Sequence, residues 1–259
     1  MIANYHTHTV RCYHATGEDE AYVLAAIRQG LKIIGFSDHT PQFYKGDYVN
    51  PSKMLPCHME DYVTSVLALK HKYRNDIEIL LGFETEYFPL LWDELLAAYR
   101  RYPIDYLLLG QHMVGNESTD DCFNSFEKTS DPRRLKRFFD QEIEAIETGR
   151  FTYIAHPDVI HYVGDDDLYR EECTRLILRA KALHIPLEIN MLGLTFGRHY
   201  PNPLFWEMVG KLEAPAILGC DAHSPDRVAD PEELSRAYAF ANTHGVQLCD
   251  TVPLRSPLF

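Results

Sequence analysis

Seven short apolar runs, each followed by a longer amphipathic stretch, recur along the whole 259-residue chain. The runs fall at 2–5, 33–37, 77–83, 106–111, 153–155, 186–190 and 216–220. The helical patterns fall at 18–29, 59–74, 91–101, 132–148, 169–183, 203–212 and 231–243. Such alternation means parallel strands joined by crossover helices, an α/β fold. Seven units fit a barrel better than an open sheet. No linker, low-complexity tract or internal repeat divides them, so a single domain over 1–259 is expected.

The polar residues argue for the barrel. Run one ends in His6-Thr7-His8, run two in Asp38-His39, run three in Glu84 and run four in Gln111-His112. Run five ends in His156, run six in Glu188 and Asn190, and run seven in Asp221-Ala222-His223. In a parallel barrel these ends ring one mouth, whereas an open sheet would spread them along a line. Two residues apart on a strand, His6 and His8 point to the same side and can grip one ion. Asp221 and His223 repeat that geometry. Imidazole and carboxylate are the ligands that suit zinc, iron and manganese. With His14 from the first loop, seven imidazoles and two carboxylates, Glu84 and Asp221, make a polynuclear site. Glu84, with two oxygens, can bridge two ions.

A single histidine at a strand end is usually an ordinary surface or core residue, and His58, His71, His184 and His244 on helix faces or ends are read so. Coincidence at six strand ends is another matter. The 38 acidic against 25 basic residues disfavour a nucleic-acid binder and an anionic membrane partner. The six cysteines form no CxxC pair, which points to a reduced, cytoplasmic setting. The opening residues do not read as a signal peptide, and no apolar run is long enough for a membrane span.

The segments YHTHT (5–9), GFSDH (35–39), GFETEY (82–87), GQH (110–112), AHPD (155–158) and GCDAHSP (219–225) together resemble the PHP (polymerase and histidinol phosphatase) superfamily. GFSDHTP, EIN at 188–190 and Arg198-His199-Tyr200-Pro201 look most like its stand-alone histidinol-phosphate phosphatases. The resemblance implies a distorted TIM-like barrel of seven strand–helix units and three divalent ions (zinc, iron or manganese). The first ion would take His6, His8, Glu84 and Asp221. The second would share Glu84 and add His112 and His156, and the third would take His14, His39 and His223. Asp38 and Glu86 would orient imidazoles from behind, Glu86 equally well forming a salt bridge outside the barrel. Basic residues that those phosphatases carry after AHPD are replaced here by Val159-Ile160-His161-Tyr162.

The reaction so implied is phosphomonoester hydrolysis, most naturally of L-histidinol phosphate, by a hydroxide between two ions. Arg198 would bind the phosphate bidentately or else sit in a rim salt bridge. Asn190 and His161 are further candidates for contacting substrate. Asp221 or a site histidine would protonate the leaving alkoxide, with Glu84 as the bridge. Other substrates of the same chemistry are nucleotides and phosphotyrosine. A metal-dependent amidohydrolase would bridge its ions through a modified lysine, and no lysine stands at a strand end here. A non-catalytic metal module would have lost ligands, and this chain keeps every type.

Overall fold

The computed structural model describes residues 1–119 and 121–258. Seven parallel strands follow one another in the order β1 (Ala3–Asn4), β2 (Ile33–Phe36), β3 (Glu78–Thr85), β4 (Tyr106–Leu109), β7 (Tyr153–Ile154), β8 (Leu187–Asn190) and β9 (Ala216–Gly219). Between β4 and β7 lies a two-stranded antiparallel hairpin, β5 (Met113–Val114) and β6 (Phe123–Asn124). The barrel closes just beyond its first and last strands. Thr7 bridges Ala222, with His8 N donating to Ala222 O at 3.0 Å and Ala222 N to His6 O at 3.2 Å. The bridging residues are the middle members of His6-Thr7-His8 and Asp221-Ala222-His223. The seam therefore throws the flanking side chains of both triplets to one side.

Alternation along the strands sorts the core. Tyr5, Leu80, Tyr106, Leu108, Tyr153, Ala155 and Ile217 form one buried cluster inside the barrel. Their neighbours Phe36, Leu81, Phe83, Leu107, Ile154, Ile189 and Leu218 belong to a larger cluster under the helices. The interior tyrosines satisfy their hydroxyls locally. Tyr106 Oη donates to Tyr5 O at 2.5 Å and to Phe36 O at 3.1 Å. The C-terminal tail packs Val252 against this inner cluster, and Val252 N donates to Tyr5 Oη.

The helices are α1 (Asp19–Arg28), α2 (Met59–Lys72), α3 (Trp92–Tyr99), α4 (Pro132–Glu147), α5 (Asp166–Ala182), α6 (Met191–Thr195), α7 (Pro203–Lys211) and α8 (Pro231–Thr243). Local chemistry sets their starts. Asp131, Asn202 and Asp230 cap α4, α7 and α8, each followed by a proline whose missing N–H costs nothing there. Helix α5 begins three residues before the expected 169, because Asp165 caps it and Asp166 and Asp167 fill its first turn. Helix α6 and the hairpin are additions to the expected order. The first is a single short run directly after β8, capped by Asn190, and the second has strands of two residues. Among the described residues no helix is long and apolar enough to cross a membrane.

Candidate metal centre

The mouth at the C-terminal ends of the strands gathers His6, His8, His14, His39, Glu84, His112, His156, Asp221 and His223. Ligating atoms of His6, His8 and Asp221 lie within 4.8 Å of one another. So do those of His6, Glu84 and His156, and those of His8, His39 and His223. Glu84 stands at the centre, with Oε1 2.8 Å from His156 Nε2 and 3.4 Å from His112 Nε2. Its Oε2 lies 2.8 Å from His39 Nδ1 and 3.6 Å from His8 Nε2, yet has no hydrogen-bond partner.

The fit of metal ions can be tested on the imidazoles. His6 Nδ1 donates to Glu188 Oε1 at 2.8 Å, since a carboxylate only accepts. His14 Nδ1 and His223 Nδ1 likewise face carbonyls, Cys12 O at 2.7 Å and Asp221 O at 3.0 Å. In the neutral rings this leaves bare lone pairs on Nε2. Yet His6 Nε2 lies 3.1 Å from His8 Nε2, and His14 Nε2 lies 3.0 Å from His223 Nε2. Between His14 and His223, two lone pairs at that separation repel unless a cation shares them. Nitrogens at about 2.0–2.1 Å from one tetrahedral ion stand about 3.3 Å apart, close to what is seen.

The electrostatics agree. Against the cost of burial, imidazoles hold both Glu84 and Asp221 well below the carboxylate range. Burial opposes a charge on His6, but the carboxylates of Glu188, Asp221 and Glu84 push its pKa up to about 10. Burial, then His8, pushes His223 down to about 3. The cluster thus calls for positive charge while keeping several rings neutral, the state a metal ligand needs.

The backbone is shaped for the cluster. His156 and Asp221 sit at φ 32° and 49°, in the left-handed region that costs a non-glycine residue on the order of 1 kcal/mol or more. A side chain at Gly110 would run into the Glu84 carboxylate, and one at Gly219 into that of Glu188.

The supporting residues depart from expectation in places. Asp38 lies behind His8, its Oδ1 3.5 Å from Nδ1, and accepts from the Thr9 hydroxyl. Glu86 is buried, so it is no exterior salt bridge. Its Oε1 accepts from the backbone N–H of His112 at 3.1 Å and of Met113 at 2.7 Å, so it places His112 through the main chain. Its Oε2 pairs with Lys53. Burial lifts Glu86 to about 7 although Lys53 opposes it, while Lys53 holds Glu117 below the usual range against the cost of burial. Glu188, marked in the sequence only as the weakest strand end, backs His6. It also accepts from Tyr153 Oη, His156 N and Asn190 Nδ2. Lys53 and Cys12 have no role in the sequence reading, and Tyr200 enters it only within the segment Arg198-His199-Tyr200-Pro201. Sγ of Cys12 lies within 4.8 Å of ligating atoms of His14 and His223.

The cluster opens into a cavity of about 370 Å³, also lined by Lys53, Asn124, Phe126, Leu192, Arg198 and Tyr200. Arg198 Nη1 donates to Tyr200 Oη at 2.6 Å, and among the described residues the guanidinium pairs with no carboxylate. Asn190 and His161 are not among the residues lining the cavity. The Asn190 amide is spent on Glu188, on Asp221 Oδ2 at 3.2 Å and on capping Gly193 N. The His161 ring stacks on His199 at 4.2 Å, because its backbone pairs with Ser125 and Thr129.

A parallel barrel with a histidine–carboxylate cluster at the strand ends defines a metal-binding α/β barrel of the TIM-like kind. The chain belongs to the PHP domain family, whose model matches residues 4–191. It is 26% identical over 263 residues to a probable histidinol-phosphatase of Schizosaccharomyces pombe, covering 92% of this chain and 86% of that one. To a probable histidinol-phosphatase of Deinococcus radiodurans it is 25% identical, covering 88% of each. Its fold matches the histidinol phosphate phosphatase of Lactococcus lactis, solved with zinc, L-histidinol and phosphate. The TM-score is 0.72 at 17% identity, over 97% of this chain and 98% of that one.

Proposed function

We propose that this chain is a metal-dependent phosphomonoester hydrolase acting on L-histidinol phosphate, built as one domain over 1–259. The observation that carries this reading is the cluster of closely facing imidazole nitrogens beside Glu84, opening on a cavity with an arginine unpaired by any described carboxylate. The relatives and the ligands of the Lactococcus protein support the choice of substrate.

We assign these donors to three divalent ions: one on His6, His8, Glu84 and Asp221, one on Glu84, His112 and His156, one on His14, His39 and His223. Bound zinc, iron or manganese would supply a deprotonated water near neutral pH and neutralise phosphate charge. Glu84 and Asp221, held ionised, serve as ligands, and Asp221 or a site histidine would pass a proton to the leaving alkoxide. Arg198 is pre-oriented by Tyr200 to meet the phosphate oxygens with its planar fork, where charge spreads as the bond breaks. Tyr200, Phe126 and Leu192 wall the cavity and keep bulk water from the reacting ester.

The test is a screen of phosphomonoesters with the purified metal-loaded protein, including L-histidinol phosphate, a nucleoside monophosphate and a phosphotyrosine peptide. The highest kcat/KM is expected for L-histidinol phosphate. A preference of tenfold or more for either other class would replace this substrate.

A further inference from the structure

Lys53 lines a cavity meant for a phosphate, yet its charge is committed elsewhere. Its ammonium reaches Glu86 Oε2, Glu117 Oε2 at 2.6 Å and Tyr44 Oη at 3.2 Å. Those three contacts use all three of its N–H bonds. Glu117 is saturated as well: it accepts from Lys53 and Tyr44 on Oε2, and from Tyr48 and Asn50 on Oε1. Glu86 is different. It receives two backbone N–H bonds on Oε1 and Lys53 on Oε2. A carboxylate has about four lone-pair sites, so one acceptor site remains on Oε2. Glu86 lines the cavity, and Glu117 does not. On this wall Glu86 therefore offers one open acceptor, while Lys53 has no N–H left for a phosphate.

We propose that Glu86 is a specificity-determining residue: its free Oε2 site receives an N–H of a positively charged group on the alcohol half of the substrate. The phosphate lies towards the metal cluster and Arg198. The substrate class is then a phosphomonoester whose alcohol bears an ammonium or a protonated imidazole. Lys53 and Glu117 tie the loop at 42–55 to the β5–β6 hairpin, while the backbone N–H groups of His112 and Met113 fix Glu86. This inference rests on the phosphomonoesterase reading above.

The experiment measures one ratio, kcat/KM for a cationic ester divided by kcat/KM for a neutral ester of similar size. Two pairs are used: L-histidinol phosphate with phenyl phosphate, and 2-aminoethyl phosphate with propyl phosphate. In the wild type both ratios should exceed one. Glu86→Gln should lower them about 10- to 100-fold, the worth of one hydrogen bond between charged groups. The change should fall mainly in KM, with metal content retained. Lys53→Met/Glu117→Gln removes one charge of each sign and leaves Glu86, so its ratios should stay within about threefold of wild type. Equal losses on cationic and neutral esters in Glu86→Gln would mean that Glu86 acts only through His112, and would overturn the proposal. So would wild-type ratios of one or less. If L-histidinol phosphate is not turned over but the 2-aminoethyl ratio behaves as stated, the proposed substrate fails and this inference stands. If Glu86→Gln does not fold, the wild-type ratios and those of the double variant decide.

Discussion

Replacing Glu188 with Gln should weaken the metal centre without touching a ligand. Four donors converge on this buried carboxylate: His6 Nδ1 at 2.8 Å and Tyr153 Oη at 3.1 Å on Oε1, His156 N at 3.1 Å and Asn190 Nδ2 at 3.0 Å on Oε2. A glutamine keeps one oxygen and turns its NH₂ towards the other pair. Whichever way the amide lies, two donors lose their acceptor. At about 1 kcal/mol or more for each orphaned buried donor, the fold should lose at least about 2 kcal/mol. That lowers Tm by roughly 4–8 °C in a domain of this size. With the NH₂ on the Oε1 side, His6 is no longer fixed with its Nε2 lone pair aimed into the cluster; with it on the Oε2 side, the backbone of His156, itself a candidate ligand, loses its acceptor. Loss of such a partner costs about 10- to 100-fold in metal affinity. The assay is chelator competition, run alongside thermal unfolding. A lowered Tm with wild-type metal affinity would show that Glu188 supports only the barrel interior, and would refute the argument.

Arg198→Ala should cost on the order of 2–4 kcal/mol of transition-state binding, roughly a 30- to 1000-fold fall in kcat/KM. Arg198→Lys should lose less, both should keep their metals, and near-normal kinetics in Arg198→Ala would assign the phosphate to other donors. Glu142, buried in α4 with neither carboxyl oxygen partnered, is held well above the usual range by burial and then by Asp158. The folded state therefore binds this proton more tightly than the unfolded chain, and stability is lost as pH rises past the ordinary Glu range. Glu142→Gln escapes that loss, so its advantage in denaturant midpoint should grow between about pH 4 and about pH 8. A pH-independent difference would be inconsistent with a raised Glu142.

What could be read from the chain was what repeats or converges. The seven strands lie where the apolar runs lie, because a strand buried on both faces must be apolar throughout. The gathering of His6, His8, His39, Glu84, His112, His156, Asp221 and His223 follows from their places at strand ends, since a parallel barrel puts every such end on one face. His14 joins them from a loop whose path no periodicity describes, and only the resemblance assigns it to an ion. What stayed hidden depends on contacts distant in sequence. Lys53 looks like any loop lysine until the hairpin brings Glu117 against it. Asn190 sits at a strand end like a substrate contact, but an asparagine there also caps a helix, and the helix claims it. His161 stands where a cation was expected and is drawn aside by pairing with 125–129. Glu188 was visible as a strand-end carboxylate, but only the fold shows that it faces His6.

The metal content of active protein tests the central claim most directly. Protein purified without chelators is assayed for turnover, and the same sample is analysed for transition metals. Nine convergent ligands predict more than two equivalents per chain. Glu84→Gln, which leaves the apolar core intact, should lose metal and activity together. One equivalent or less in fully active protein would contradict the polynuclear centre, as would wild-type turnover in Glu84→Gln.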